Sequence, residues 1–358
     1  MRSSTPSPFT VAAVHAASEF LDLEASVEKA CRLISEAGSG GARLIVFPET
    51  FLPGYPFWIW SHTPGEGAPL FARLFGQAVE LPGEATRRIG EAARGARAWV
   101  CMGLNERDGG TLYNTLAWFD SEGRLVARHR KLQPTNAERT IWGRGDGRDV
   151  FVLDTPLGRV GGLICFEHSM DLNRYALIAL GQQIHVAAWP AISAMTADPN
   201  SGNFDNLTET AIKYHALAAQ AYVICAQSRI DQATIDAIEL TDQPDKIRLG
   251  GGLSAIVAPN ATYVAGPHRD EEAILYGEID LGMIPYAKFF ADSAGHYARP
   301  DVFSFAIDAH AQVPLSPATG ATELASHILA RPTEDPARSA IDVEPEPRLL
   351  TVPDQRTG

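Results

Sequence analysis

Cysteine is scarce in this 358-residue sequence, which contains only four. The four form no CxxC pair and have no pair of histidines at zinc-binding spacing, so the sequence indicates neither a disulfide framework nor a structural zinc site. Cys31, Cys101 and Cys225 lie inside helical or strand-like apolar patterns and are interpreted as core residues. Only Cys165 lies at a predicted boundary between a strand and a helix.

Positive charge is also in short supply. The chain has 30 Lys and Arg against 43 Asp and Glu, a net charge of -13, which argues against a nucleic-acid partner or an anionic membrane surface. No run of eighteen apolar residues occurs, and the N-terminus lacks an apolar signal-peptide core, so we expect a cytoplasmic protein without a membrane partner. The triple glycine at 250–252 has neither a GxxxxGK[ST] nor a GxGxxG context, and a phosphate loop is not predicted.

What the sequence does contain is typical of a globular α/β protein, with 45% hydrophobic and 20% charged residues. A strand at Phe9–Val14, an amphipathic helix at Leu21–Ala37 and a strand at Arg43–Phe47 predict a βαβ unit. A meander of strands over 98–129 and a second βαβ-like half over 159–227 follow. Sheets covered by outer helices account best for this order.

The composition changes near both ends of the chain. We predict a flexible N-terminal tail at 1–8 and one folded domain at 9–312. From residue 313 onward Pro, Ala, Glu, Asp and Thr dominate, so 313–358 is interpreted as a flexible or partner-binding extension with at most one short helix, at 322–330.

Three chemically capable side chains follow predicted strands: Glu49, Lys131 and Cys165. Such strand ends are where α/β proteins place their chemistry, and a helix beginning beyond Cys165 would favour its thiolate. A capping or surface role for Glu49 and a buried turn position for Cys165 are the more common alternatives. Glu138, in an irregular loop, is a further candidate carboxylate, and His168 either forms a dyad with Cys165 or stabilises the turn.

Several motifs in a specific order resemble the nitrilase branch of the carbon-nitrogen hydrolase superfamily. They are Phe47-Pro-Glu49, Gly110-Thr-Leu-Tyr-Asn114, His129-Arg-Lys131 with Pro134-Thr135 and Glu138-Arg139, Cys165-x-Glu-His168, His185-Val-Ala-Ala-Trp-Pro190 and Gly295-His-Tyr-Ala-Arg-Pro-Asp301. The similarity spans roughly residues 10–302 and implies a four-layer αββα sandwich, in which 9–312 is the catalytic domain.

The resemblance also implies a function. Glu49, Lys131 and Cys165 would form a catalytic triad, with Glu138 as an additional carboxylate, that hydrolyses organic nitriles to carboxylic acids and ammonia through a covalent cysteine intermediate. No metal or organic cofactor would be required. A cyanide-degrading enzyme or an amidase of the same superfamily is the nearest alternative, and a non-catalytic scaffold that keeps only the fold is a remote one.

Substrate preference does not follow from the resemblance, because Phe166 stands where many nitrilases carry Trp, and Gln133 and Asn136 stand where Lys and His are common. Contacts with a small nitrile are predicted for four residues near the implied site: Tyr55, Phe166, His168 and Trp189. The aromatic segment around Tyr55 either lines a pocket or covers the core. The resemblance further implies homodimers that assemble into larger homo-oligomers or spirals, with the C-terminal extension involved.

Overall fold

Two β-sheets form the centre of the protein. The computed structural model describes residues 7–196 and 204–309 and the backbone of 348–350. The strands are β1 (Phe9–His15), β2 (Ala42–Val46), β3 (Trp99–Asp108), β4 (Thr111–Phe119), β5 (Leu125–Arg130), β6 (Val152–Thr155), β7 (Gly158–Ile164), β8 (Ile184–Trp189), β9 (Tyr222–Gln227), β10 (Ser254–Val257), β11 (Tyr263–His268), β12 (Ala273–Ile279) and β13 (Arg348–Leu350). The helices are α1 (Leu23–Ser39), α2 (Pro64–Gly76), α3 (Glu84–Ala96), α4 (Asp171–Ala179), α5 (Phe204–Ala219), α6 (Gln232–Ala237) and α7 (Ile284–Phe290).

The first sheet has six strands in the order β12-β1-β2-β3-β4-β5, and the second has seven in the order β11-β10-β9-β8-β7-β6-β13. Each sheet contains three neighbouring parallel strands, β1-β2-β3 in the first and β7-β8-β9 in the second. The carboxyl ends of such strands lie at one edge of their sheet, so residues that follow them can meet.

The alternating directions of the side chains along β2 show how the layers are stacked. Leu44 and Val46 pack into the core between the two sheets, which also contains Ile164 of β7, whereas Ile45 points to the opposite face and packs with Ile34 of α1. Because successive side chains of a strand face opposite sides and both sides are covered, every position of this strand except Arg43 is buried. Helices α1 and α3 cover the first sheet and α4 and α5 the second, so the predicted four-layer αββα sandwich is confirmed.

The predicted strands and long helices are present, with ends shifted by up to three or four residues. Helix α1 begins after Asp22, whose side chain accepts a hydrogen bond from Ala25 N at 3.0 Å. This is an N-cap, which satisfies a free N–H at the start of the helix. Three helices were not predicted: α2, α6 and α7. Helix α2 contains Pro69 and several glycines, a composition that usually indicates a loop, and it is started by a capping box between Thr63 and Glu66.

The termini are described only in part. The predicted helix at 322–330 lies outside the described residues. Within the predicted extension, Arg348–Leu350 pairs antiparallel with β6. The proposed limits of tail, domain and extension stay predictions. None of the helices in the described ranges has both the length and the apolar character needed to cross a lipid bilayer.

Candidate active site

Three strand ends meet between the sheets, as the sequence predicts. Glu49 follows β2, Lys131 follows β5 directly, and Cys165 follows β7 directly. Glu138 joins them from the 3-10 helix Asn136–Thr140. All four side chains are buried, with at most 1% of any residue exposed. One carboxylate oxygen each of Glu49 and Glu138 and the Cys165 sulfur lie within 4.8 Å of one another.

The Lys131 ammonium lies between the two carboxylates. Its Nζ donates hydrogen bonds to Glu49 Oε1 at 2.9 Å and to Glu138 Oε2 at 2.7 Å. Burial alone lowers the pKa of Lys131, but the negative charges of Glu138 and Glu49 outweigh it and hold the pKa above its usual value. Lys131 is therefore a permanent cation, and it supplies the positive charge that a metal ion bound by Glu49, Glu138 and Cys165 would supply.

Glu49 has one oxygen occupied and one free. Oε1 accepts hydrogen bonds from Lys131 Nζ and, at 2.5 Å, from Asn114 Nδ2. Oε2 is buried without a hydrogen-bond partner. Burial raises the pKa of Glu49 to about 7; Glu138 adds to the rise and Lys131 opposes it. A carboxylate with this pKa and a free oxygen is suited to exchange protons at neutral pH.

Glu138 connects Lys131 to the aromatic segment. Its Oε1 accepts from the Tyr55 hydroxyl at 2.8 Å, and its Oε2 accepts from Thr135 N at 2.7 Å as well as from Lys131. Trp60 Nε1 in turn donates to the Tyr55 oxygen at 3.2 Å. With both oxygens occupied, Glu138 is held as a partner of Lys131.

The backbone around Cys165 differs from the sequence prediction. Cys165 itself begins the 3-10 helix Cys165–Ser169, and α4 begins only at Asp171, so the N-terminus of α4 does not lie at the sulfur. Burial raises the pKa of the Cys165 thiol well above its ordinary value, Glu49 and Glu138 add to this, and Lys131 opposes it. The predicted helix N-terminus therefore does not favour the thiolate here, and burial and the two carboxylates outweigh the neighbouring positive charge.

Three residues of the site region have left-handed backbone without being glycine. They are Thr50 next to Glu49 (φ 46°), Asn136 in the helix of Glu138 (φ 45°) and Cys165 itself (φ 51°). Such conformations cost free energy and persist only where surrounding contacts impose them. Their position here indicates that the fold imposes the direction of the site residues.

Close packing of backbone also places the turn of Glu49. A Cβ at Gly103 of β3 would lie 2.0 Å from Pro48 O and 2.7 Å from Thr50 N. Only glycine lets this turn approach the strand so closely. A side chain at position 103 would displace Glu49, so Gly103 belongs to the support of the site.

An ion pair that the sequence analysis did not predict links the strand of Lys131 to the turn of Cys165. His129 Nε2 donates to Glu167 Oε2 at 2.8 Å, and His129 Nδ1 donates to Asp149 O at 2.7 Å. Because both acceptors require a proton on the ring, this imidazole is the charged form. Glu167 also accepts from Leu132 N and Ile164 N, both at 2.8 Å. The available signal was an acidic residue two positions after the cysteine.

The four predicted substrate contacts occupy different places. Phe166 and Trp189 pack edge to face with a centroid distance of 6.0 Å, and Phe204 contacts both. Tyr55 is bonded to Glu138, as described above. His168 stacks on Trp189, and its two ring nitrogens are occupied by Cys165 O at 2.7 Å and His185 Nε2 at 2.9 Å.

This arrangement has two consequences for His168. Its bond goes to the carbonyl of Cys165 rather than to the sulfur, so the alternative of a Cys–His dyad is wrong. Neither ring nitrogen is left for a nitrile, so the geometry argues against direct polar contact between His168 and substrate. Phe166 and Trp189 lie at or beside the turn of Cys165, and their contact with substrate stays a prediction.

A family comparison gives the first step of the identification. Residues 10–288 match the carbon-nitrogen hydrolase family. A carbon-nitrogen hydrolase from Helicobacter pylori G27 has a similar fold, with a TM-score of 0.67 and 20% sequence identity, covering 83% of this chain and 97% of that one. The chain belongs to the carbon-nitrogen hydrolase family.

Relatives with higher identity refine this. A protein named nitrilase from Bacillus sp. (strain OxB-1) is 39% identical over 311 residues, which are 86% of this chain and 90% of that protein. An aliphatic nitrilase from Rhodococcus rhodochrous is also 39% identical, over 325 residues that are 90% of this chain and 88% of that protein. Within the family, the chain is a member of the nitrilase branch.

Proposed function

We propose that this protein is a nitrilase that hydrolyses organic nitriles to carboxylic acids and ammonia through a covalent intermediate on Cys165. The observation that carries the proposal is the convergence of one thiol, one lysine and two carboxylates in a buried site. One carboxylate oxygen each of Glu49 and Glu138 and the Cys165 sulfur lie within 4.8 Å of one another, and Glu49 Oε2 has no hydrogen-bond partner. Glu49 is assigned as the proton carrier, Lys131 as the stabiliser of developing negative charge, and Glu138 as the partner that positions Lys131.

The first half of the reaction forms the intermediate. The Cys165 proton passes to Glu49 as the sulfur attacks the nitrile carbon, so no free thiolate has to exist in the resting enzyme. Negative charge develops on the nitrile nitrogen, where Lys131 stabilises it, and the proton held by Glu49 then completes a neutral thioimidate. The raised pKa of Glu49, about 7, suits both the removal and the return of this proton.

The second half consumes two water molecules. Glu49 takes a proton from the first water as it adds to the thioimidate carbon, and returns a proton to nitrogen so that ammonia leaves and a thioester remains. A second water, deprotonated by Glu49, then displaces the Cys165 sulfur, which takes the proton back from Glu49 as the carboxylic acid is released. If the first tetrahedral intermediate expels sulfur instead of ammonia, the product is an amide, so a minor amide product is chemically compatible with the same residues.

One assay tests this function directly. The purified protein is incubated with an aliphatic nitrile, with the amide of the same acid and with cyanide, and acid, amide and ammonia are measured. We expect acid and ammonia from the nitrile, abolished in Cys165→Ala, while Cys101→Ala, which replaces a buried cysteine in the core, retains turnover. Hydrolysis of the amide or of cyanide in preference to the nitrile would favour an amidase or a cyanide-degrading enzyme.

Aromatic side chains support an organic nitrile as substrate. Phe166 follows the nucleophile directly and packs against Trp189 and Phe204, so an apolar substituent on the nitrile carbon would meet ring surfaces there. We assign substrate contact to Phe166 and Trp189. We also assign it to Tyr55, whose hydroxyl donates to Glu138 in the site. The same assay with aliphatic nitriles, aromatic nitriles and arylacetonitriles compares the three substrate classes.

We further propose that the protein forms homodimers that assemble into larger homo-oligomers. We also propose that it is located in the cytoplasm. Large apolar side chains exposed on α4 and α5 support association, namely Leu172, Leu207, Tyr214 and Leu217. All four cysteines are free thiols, which suits a reducing compartment.

A further inference from the structure

Asn114 is buried beside the reacting groups, and the mechanism above gives it no part. It ends the motif Gly110-Thr-Leu-Tyr-Asn114 and lies on β4, between β3 and β5. Only 1% of the residue is exposed. Its backbone oxygen accepts a hydrogen bond from Lys131 N at 2.8 Å, and its side-chain Nδ2 donates to Glu49 Oε1 at 2.5 Å. Asn114 therefore contacts two residues of the site, one through its backbone and one through its side chain.

The contacts of Glu49 determine which way the Asn114 amide points. The oxygen and nitrogen of an amide are distinguished by their hydrogen-bond partners. Glu49 Oε1 already accepts from Lys131 Nζ at 2.9 Å, so Asn114 must present its NH2 group to this oxygen. The reverse orientation would bring the Asn114 oxygen against a carboxylate oxygen. The donor of Asn114 is thus the atom that faces Glu49.

A neighbouring asparagine shows how an amide that supports only the fold is bonded here. Asn105 of β3 lies directly opposite Asn114, so the two side chains are on the same face of the sheet. The Asn105 nitrogen donates to Gly54 O at 2.9 Å, and its oxygen accepts from Trp142 Nε1 at 2.9 Å. Both ends of the Asn105 amide are therefore bonded to the surrounding chain.

Asn114 differs from Asn105 at its oxygen. Asn114 Oδ1 is buried and has no hydrogen-bond partner among the described residues, and the same holds for Glu49 Oε2. Buried polar atoms of native proteins are nearly always hydrogen-bonded, so each unpaired acceptor requires an explanation. These two acceptors belong to side chains that are bonded to each other in the site. The water molecules that the reaction consumes are donors suited to such acceptors.

The hydrogen bond from Asn114 has two physical effects on Glu49. A carboxylate rotates easily about its last side-chain bond, and two donors on the same oxygen resist that rotation. Oε2 thus remains the oxygen without a donor. The second effect is on ionisation. Burial is the largest influence and raises the pKa of Glu49 to about 7, whereas the Asn114 donor acts in the opposite direction because it favours the ionised form.

We propose that Asn114 is a positioning residue for Glu49: its Nδ2 occupies one carboxylate oxygen and so keeps the other, Oε2, free to exchange protons with Cys165 and water. The proposal rests on the proposed function in treating Glu49 as the proton carrier. It gives a role to the motif that ends at Asn114. A buried asparagine that only supported β4 would affect stability and leave proton transfer unchanged.

Two substitutions of similar size test Asn114. Asn114→Leu removes the donor, and Asn114→Asp replaces it with an oxygen that repels Glu49. Thr115→Val is the matched control, because Thr115 is the next residue of β4 and faces the other side of the sheet. Its Oγ1 donates at 2.8 Å to Glu106, a buried carboxylate outside the site. The leucine and valine changes each remove one hydrogen bond to a buried carboxylate.

The readout is the rate at which iodoacetamide alkylates Cys165 between pH 5 and pH 9.5, with peptide mass spectrometry to distinguish this cysteine from the others. The sulfur displaces iodide and its proton passes to Glu49, so the rate rises as Glu49 becomes ionised. Glu49→Gln should abolish this rise, which assigns the midpoint to Glu49. The other charged or titratable groups that face Glu49 are shared by the leucine and valine variants and the unchanged protein: Lys131, Glu138, Cys165 and Tyr55.

We expect a midpoint near pH 7 in the unchanged protein. Asn114→Leu should raise it by roughly 1 pH unit, the size of one hydrogen bond to a charged group. Asn114→Asp should raise it further because it adds negative charge. Thr115→Val should stay within about 0.3 pH unit of the original midpoint. Above its midpoint, Asn114→Leu should still react about 3- to 10-fold more slowly, because Oε2 is no longer held.

Turnover of a nitrile gives a second readout. In Asn114→Leu, kcat should fall about 3- to 10-fold with KM changed less than about twofold, since the affected group acts in the chemical step. Circular dichroism shows whether each variant is folded. If Asn114→Leu does not fold, the midpoint of Asn114→Asp decides.

A midpoint in folded Asn114→Leu or Asn114→Asp that coincides with that of the unchanged protein would overturn the proposal. An equal shift in Thr115→Val, or an unaltered profile in Glu49→Gln, would overturn it as well. The alkylation measurement needs no nitrile. Failure of the unchanged protein to hydrolyse nitriles would thus remove the proposed function while leaving the comparison of variants valid.

Discussion

At the scale of single residues, the site combines a thiol that resists ionisation with a carboxylate that accepts its proton. Burial raises the pKa of Glu49 to about 7 and that of Cys165 well above its ordinary value; Glu138 adds to both rises and Lys131 opposes them. Transfer of the proton from sulfur to Glu49 keeps the total charge constant. This is why the reaction begins with a coupled transfer rather than with a standing thiolate.

The acid side of the pH profile should report Glu49. Because the carboxylate is the active form, kcat/KM should fall about tenfold per pH unit below pH 7. In Glu138→Gln a negative charge that raises the pKa of Glu49 is lost, so the midpoint should move to lower pH even though the maximal rate also falls. Rates measured from pH 5 to 9 check this; a profile that is flat below pH 7, or a midpoint that moves up in Glu138→Gln, would contradict it.

At the scale of elements, the ion pair between His129 and Glu167 joins the two strand ends that carry Lys131 and Cys165. His129 belongs to β5 and Glu167 to the 3-10 helix after β7. The acidic side chain also accepts from Ile164 N, the last residue of β7. Glu167 therefore sets the distance between two strands that belong to different sheets.

This pair should make stability depend on pH. Burial alone lowers the pKa of His129, but Glu167 raises it to about 9, above the ordinary value of 6.5. Such a group stabilises the fold fully below pH 6.5, and the contribution is lost as pH rises through 9. We expect the free energy of unfolding to fall by roughly 2–3 kcal/mol from pH 6 to pH 9.5 relative to His129→Gln, measured in urea at one protein concentration.

The comparison with His129→Gln separates this group from the rest of the molecule, because all other titrations are shared. Glutamine keeps a donor for Glu167 but cannot gain or lose a proton in this range. An equal pH dependence in both proteins would show that His129 does not hold its extra proton in the fold.

At the scale of the whole molecule, the exposed apolar side chains are concentrated on one pair of helices and near the end of the described chain. Leu172 of α4 is 70% exposed, and Leu217 of α5 is 53% exposed. Helix α7 exposes Tyr286, Phe289 and Phe290. A monomer rarely leaves so many large apolar groups in water, which supports the proposed association through these surfaces.

Light scattering after size-exclusion chromatography tests this. We expect the unchanged protein to have a mass well above one chain and Leu217→Arg to shift it to smaller species, because a charge would be buried at the contact. Glu28→Arg, on the exposed face of α1, introduces the same residue and should leave the mass unchanged. A monomeric unchanged protein, or equal masses in all three, would exclude association through α5.

The sequence predicted more of the fold than of the contacts within the site. Strands β1 to β5 and β7 to β9 and the long helix α1 follow from hydrophobic periodicity, which is a local property. Helix α2 was missed because prolines and glycines suggest a loop when tertiary burial is unknown. The helix start expected just beyond Cys165 was misplaced, because the 3-10 helix Cys165–Ser169 comes between the cysteine and α4.

The sequence by itself determined the α/β class, the strand ends at which Glu49, Lys131 and Cys165 stand, and, through its motifs, the family. These depend on residue types and their order. Only the tertiary structure decided that Glu138 connects Lys131 to Tyr55, that Glu167 ties two strand ends together, and that His168 bonds the Cys165 carbonyl. Each of these depends on burial and on distances between atoms far apart in the chain, and both arise only when the two sheets pack face to face.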